Sequence, residues 1–317
     1  MLVVGVDENG LGPRLGPLVA TSVVLETPRY RRAALCDRGL ELGLTDSKET
    51  GGFGRMGFIE SVALALLGWA RRCGGAQASV SRELPRSADD LLDRLSPASR
   101  VELRACCPND QTAAQCWAVD FPLPAFGGDP ALGTTLLRKL AGRSKLRVVD
   151  VQSRLACAGM LNAMQAAGQN KLAVDLELFQ ELIATARQLH QGSLLVICGM
   201  VGGIRDYSSR LPRLEFDRVH NLRGRRGQRR YAVDGLGEIR FEVDADARHL
   251  PVALASIVGK YLREICMLRI GEFYRRDVPG LELASGYHDP VTSRFIEQTQ
   301  PSRHHLGIVS DCFQRHA

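Results

Sequence analysis

Asp7 and Glu8 stand side by side at the end of an apolar run, Val3 to Val6, and a turn rich in glycine and proline follows them. Two carboxylates at the tip of a buried strand lose hydration, so they must be paired or hold a metal ion. Taken alone the pair reads as a strand cap or a solvated terminus. Further along, Asp244 and Asp246 are spaced by two; as strand residues they would share one sheet face. The run after them is helical in spacing. It places Ser256, Lys260 and Arg263 on one face, four and three residues apart, with Glu264 next in line.

Several elements must carry these groups. Val3 to Val6 and Leu18 to Leu25 are rich in β-branched residues and predict two buried strands. Gly10, Gly12, Pro13, Gly16 and Pro17 between them predict an antiparallel hairpin. Helical spacing marks Phe58 to Arg72, Ser87 to Ser96, Asp129 to Arg143, Ser153 to Lys171, Leu172 to His190 and Val252 to Arg276. Lys145 to Gln152 and Ser193 to Gly203 predict strands, the second running into a glycine turn. Arg229 to Ala247 predicts a hairpin turning at Asp234-Gly235. This mixture predicts an α/β domain with a mixed central sheet flanked by helices. The reading is of one domain over 1–317, with an irregular insertion around 74–128 and a helical C-terminal part.

The bulk composition sets bounds. At 317 residues, 45% hydrophobic and 24% charged, the chain is ordinary for a globular protein and can bury a proper core. A net charge of +6 favours a polyanionic partner. No apolar stretch is long enough for a membrane span, and the chain opens directly on a strand, so a cytoplasmic protein without membrane contact is expected. The nine cysteines are odd in number and contain no CxxC pair, which argues against a zinc site and for reduced thiols.

Four segments together resemble the type 2 ribonucleases H, the ribonuclease HII family. "GVDENGLGPRLGP" looks like that family's opening G-[IV]-D-E-x-G-R-G-P-x-x-G-P, and "LTDSKE" (Leu44 to Glu49) like its L-x-D-S-K. "DARHLPVALASIVGKYLRE" is similar to its acidic residue followed by P and A-S-I-x-A-K-x-x-R-[DE]; "SGYHDPVTSRF" resembles its K-G-Y-P-T segment. The motifs occur in family order and span almost the whole chain. The resemblance implies an RNase H-like fold and cleavage of the RNA strand of RNA/DNA hybrids by two-metal hydrolysis. Four carboxylates would hold two Mg²⁺ or Mn²⁺ ions roughly 4 Å apart, hard oxygen donors for hard cations. By matched position Asp7, Glu8 and Asp246 are three of the four.

The fourth is absent from its matched place. Aligning "CGMVGGIRDY" with the C-D-K-x-G-G-R-x-x-Y of divergent relatives puts Gly199 where the Asp should be, Met200 at the Lys and Ile204 at the Arg. A shift by one offers Cys198, a poor ligand for Mg²⁺. Leu11 replaces the arginine of G-R-G. Asp244, Asp206 and Asp150 are the substitutes in view. Asp244 is the best placed of them, and the other two read as surface acids.

The resemblance also implies nucleic-acid contacts. Tyr287 matches a tyrosine that stacks at the RNA–DNA junction, and Lys48 and Lys260 match lysines near phosphates. "RVHNLRGRRGQRRY" holds six arginines before Tyr231; Arg225, Arg226, Arg229 and Arg230 are expected to track phosphates on a loop. His249, His288, His304 and His305 read as solvated. Two functions follow: a divergent metal-dependent endoribonuclease acting as a monomer on hybrids, or a catalytically impaired protein that binds hybrid or duplex nucleic acid without cutting it.

Overall fold

The computed structural model describes residues 1–44, 56–70, 72–73, 83–105, 107, 115–202, 204–211 and 219–316. Its strands are β1 (Leu2–Asn9), β2 (Leu18–Glu26), β3 (Arg72–Cys73), β4 (Arg147–Ala156), β5 (Leu194–Gly199), β6 (Val219–Leu222), β7 (Gln228–Val233) and β8 (Gly237–Glu242). Its helices are α1 (Arg32–Glu41), α2 (Met56–Trp69), α3 (Ala88–Leu95), α4 (Arg100–Arg104), α5 (Pro130–Ser144), α6 (Ala158–Ala166) and α7 (Lys171–Leu189). They continue with α8 (Ala245–Arg248), α9 (Leu250–Arg275), α10 (Pro290–Gln298), α11 (Gln300–His305) and α12 (Ser310–Phe313).

The strands form one mixed sheet in the order β3-β4-β2-β1-β5-β8-β7-β6. β1 pairs antiparallel with β2, as its turn residues predict, and parallel with β5, which is parallel in turn to β8. The carboxyl ends of β1, β5 and β8 therefore meet at one edge. In open α/β sheets such an edge is where ligands bind.

Helices cover both faces of the sheet, which is why the central strands are apolar on both sides. On one face α9 lies over β1 and β2, packing Leu254, Ile257 and Tyr261 against Val19, Val23 and α2. On the other, α7 packs Phe179, Leu182 and Ile183 against Val4, Val6 and Val196. The first turn of α9 lies so close to β1 that a Cβ on Gly5 would meet the Pro251 carbonyl carbon at 2.1 Å. A glycine is needed there, and it lets α9 carry Ser256 up to the strand tip.

Several expectations need correction. The helix expected from Ser153 begins only at Ala158, because β4 runs on to Ala156 in register with β2; the Ser153 hydroxyl lies 2.8 Å from that of Thr21. The helix expected to reach Arg72 ends at Trp69, and Arg72–Cys73 pairs beside β4. Asp244 and Asp246 are not on a strand. β8 ends at Glu242, Asp244 adopts the left-handed conformation (φ 51°), and Asp246 lies in the short α8. The arginine segment is likewise no loop throughout. Within the described residues it forms the β6–β7 hairpin, with Arg218 outside them. Cys36, Cys107, Cys116, Cys157, Cys198, Cys266 and Cys312 are free thiols. Among the described residues no helix is long and apolar enough to cross a membrane.

Candidate active site

At the carboxyl edge of β1, β5 and β8 lies a cleft of about 980 Å³. Asp7, Glu8, Asp244, Asp246, Ser256, Lys260, Arg263, Glu264 and Tyr287 all line it. Strand parity explains how the first two are presented. Val4 and Val6 face α7, so Glu8 shares their side, while Asp7 shares the side of Val3 and Gly5, beneath α9. The Ser256 side chain, on that helix, hydrogen-bonds Asp7. The Asn9 amide donates to the Ser256 carbonyl at 3.3 Å, tying strand to helix.

The electrostatics are those of crowded acids. Burial, and then the charges of Glu8 and Asp246, push the Asp7 carboxyl well above the usual carboxylate range; its bond with Ser256 opposes them. Burial lowers the Lys260 ammonium, with Glu264 acting the other way. Among the described residues, no three His, Cys, Asp or Glu side chains come close enough to form a closed metal cage. One ion touching Asp7, Glu8 and Asp246 together was the expectation, and the three share a cleft without closing to that extent. Carboxylates by themselves repel, and a divalent cation is what would reverse the sign of that interaction. Their hard oxygen donors fit Mg²⁺ or Mn²⁺.

Gly199 ends β5 immediately beside the acids. A Cβ built there would stand 3.1 Å from Asp7 Oδ1 and 3.4 Å from Glu8 Oε2. Met200 lines the cleft, whereas Leu11 and Ile204 pack against the core beneath the sheet. Asp244 lines the cleft too, but it is exposed and lies 3.9 Å from Arg248. Asp206 is exposed and bonded to Ser208. Asp150 is not a surface acid: it is buried in β4, accepts from Gln152 and lies 3.5 Å from His190.

The other wall is rigid. Arg263, 2% exposed, donates to the Ser285 carbonyl and to Glu264, and its guanidinium lies 4.8 Å over the Tyr287 ring. Tyr287 itself is 47% exposed. Gly286, at φ 83°, accepts from the backbone N–H groups of Arg14 and Leu15, so the opening turn and the tyrosine segment are joined.

His249 departs from expectation. It is fully buried, bonded to the Tyr30 hydroxyl at 2.7 Å and 3.2 Å from Glu242. Burial would raise Glu242, but its bonds from His249 and Gln228 outweigh this and hold it at about 2. The pair fixes the bend from β8 into α8 that presents Asp246. Of the arginines, Arg225 and Arg226 are exposed in the hairpin turn. Arg229 donates to the Arg205 carbonyl and Arg230 pairs with Glu238 at 2.6 Å, so both are already engaged. None of the four lines the cleft. Lys48 lies outside the described residues.

Sequence reasoning missed two groups. Glu60 of α2 is buried, accepts from the N–H groups of Ala125, Phe126 and Gly128, and holds that segment, whose Phe126 lines the cleft. Asp175 of α7 is fully buried, and burial followed by the charges of Glu8 and Asp7 raises its carboxyl well above the usual range.

No family model matches this chain, and no curated protein does. Solved structures are similar in fold. A chain of the PCNA:RNase HII complex from Archaeoglobus fulgidus is 17% identical, with a TM-score of 0.45 over 99% of this chain and 93% of that one. Ribonuclease H2 from Pyrococcus horikoshii is 15% identical at 0.47, over 99% and 92%. Bst-RNase HIII in complex with Mn²⁺ is 15% identical at 0.43, over 99% and 66%. These likenesses are distant, and what the cleft does is read from its own residues.

Proposed function

We propose that this chain is a ribonuclease H-type nuclease that hydrolyses the RNA strand of RNA/DNA hybrids with Mg²⁺ or Mn²⁺. One observation carries the reading: Asp7 and Glu8 from β1 and Asp246 from α8 face one cleft that also presents Lys260 and Tyr287. Asp7, Glu8 and Asp246 would hold the cations. Bound there, divalent ions would activate water and stabilise the leaving oxygen. Lys260 sits on the same helix face as Ser256 and lines the cleft with the acids, where it would receive a scissile phosphate. Its partial burial makes an arriving anion favourable. Tyr287, held by Arg263 beneath it, offers a flat exposed face on which a base or sugar can stack. Ser256 keeps Asp7 oriented toward the cleft.

Gly199 favours a second reading, a binder of hybrid or duplex nucleic acid with impaired cleavage, because the strand tip beside Asp7 offers no carboxylate. The two are separated by giving the protein matched RNA/DNA, DNA/DNA and RNA/RNA duplexes with Mg²⁺ or Mn²⁺. Cutting confined to the RNA strand of the hybrid supports the nuclease. Tight binding with no metal-dependent cutting supports the binder.

A further inference from the structure

Asp175 is the most unusual acid in the molecule. It is fully buried, and among the described residues neither of its carboxylate oxygens has a hydrogen-bond partner. A buried, unpartnered carboxylate is strongly disfavoured, and structures that keep one have something to place against it. The residues around it give the direction. Asp175 lies on the α7 face that packs under β1 and β2, and the charges of Glu8 and then Asp7 act on it. The thiol of Cys198, the β5 residue next to Gly199, feels the same three acids. Asp175 therefore approaches from beneath the sheet the same acids that a side chain at Gly199 would meet from the strand tip.

From this arrangement we infer that Asp175 is the fourth carboxylate of the cation site, supplied by helix α7 in place of the strand-tip residue that Gly199 lacks. The inference rests on the proposed metal-dependent reading of the cleft. Glycine at 199 brings no side chain to the acids, where even a Cβ would stand 3.1 Å from Asp7 Oδ1, and Asp175 supplies the fourth carboxylate instead. A divalent cation drawn between Glu8 and Asp175 would give the unpartnered Asp175 carboxylate a partner and turn the repulsion between the two acids into shared attraction. Cys198 cannot take this part, since burial keeps its thiol protonated and sulfur is a soft donor.

The test is Mn²⁺ binding to the full chain without nucleic acid, followed by calorimetry or the loss of free-Mn²⁺ paramagnetic signal. Wild type is compared with Asp175→Asn, Asp175→Ser and Asp7→Asn. Both Asp175 variants should bind Mn²⁺ at least about tenfold more weakly, or lose an equivalent of it, a ligand mattering no less than an outer-sphere partner. Without metal they should melt at or above the wild-type temperature, because a buried, unpartnered carboxyl group crowded by Glu8 and Asp7 has gone. Adding Gly199→Asp to Asp175→Asn should recover Mn²⁺ affinity. Unchanged Mn²⁺ binding in the Asp175 variants, with Asp7→Asn weakened, overturns the role of Asp175 and leaves the site reading intact. Unchanged binding in Asp7→Asn overturns the site reading itself. Failure of both Asp175 variants to fold would make Asp175 a structural residue and also overturn the inference.

Discussion

The guanidinium of Arg263 lies 4.8 Å over the ring of Tyr287 while donating to the Ser285 carbonyl two residues before that ring. One buried cation thus fixes both the face and the backbone of the exposed tyrosine opposite the acids. Removing the ring should weaken hybrid binding more than it disturbs the fold. Base–aromatic stacking is worth about 1–3 kcal/mol, so Tyr287→Ala should raise the Kd for a hybrid by about 5- to 100-fold. Fluorescence anisotropy with a labelled hybrid measures this, and thermal melting should be nearly unchanged. Tyr287→Phe should keep most of the affinity.

The arginine hairpin divides into two functional pairs. Arg225 and Arg226 are exposed in the turn, whereas Arg229 and Arg230 hold the Arg205 carbonyl and Glu238. Replacing Arg225 and Arg226 with Ala should lower the slope of log Kd against log salt by about 1–2, as expected for one phosphate contact each. Replacing Arg229 and Arg230 should act mainly on hairpin stability. An identical salt slope after the first change would return the turn to a solvated role.

Glu242 makes stability depend on acid. Glu242 is held at about 2 in the folded chain, against about 4.3 for a free glutamate. A depressed carboxylate stabilises the fold above its unfolded value, and that stability is lost as pH falls through the folded value. Wild type should therefore lose about 2–4 kcal/mol from this group between pH 5 and 2. In Glu242→Gln, denaturant unfolding across the same range should show a shallower decline and a lower starting stability at pH 7.

Gly5 sets how closely α9 approaches the strand carrying Asp7. A Cβ there would meet the Pro251 backbone at 2.1 Å, a contact that only movement of the helix can relieve. Gly5→Ala should destabilise by about 1–3 kcal/mol, the usual range for overpacking. Because Ser256 rides on that helix, hybrid cleavage should fall further than the loss of folded protein explains. Chemical denaturation and activity per folded molecule check the two parts.

Much of this arrangement is legible in the residues. The β-branched run before Asp7 and the glycine-proline turn after it specify the β1–β2 hairpin. The spacing of Ser256, Lys260 and Arg263 places all three on the wall of the cleft. Asp244 and Asp246 were misread because a two-residue spacing looks the same in a strand and in a tight bend. Left-handed backbone at Asp244, a non-glycine residue, carries no strong sequence signal. His249 looked solvated because its partner Glu242 is set by β8 register and its partner Tyr30 is 219 residues away. Asp175 did leave a trace. It sits three, four and seven residues before Leu178, Phe179 and Leu182, an acid on the apolar stripe of α7, all of them buried. An acid on a core-facing stripe marks a special environment, and here that environment is Glu8 and Asp7 of β1, which no local pattern can reveal.

The most direct test of the account is single-turnover cleavage of a defined RNA/DNA hybrid in Mn²⁺ by wild type and Asp7→Asn, purified side by side. Asp7 is the most buried of the acids that line the cleft, and Ser256 keeps it oriented there. The account predicts cutting of the RNA strand by wild type and a loss of several orders of magnitude in Asp7→Asn, with hybrid binding nearly intact. Equal cutting by the two proteins, or none by wild type while it binds the hybrid tightly, would contradict it.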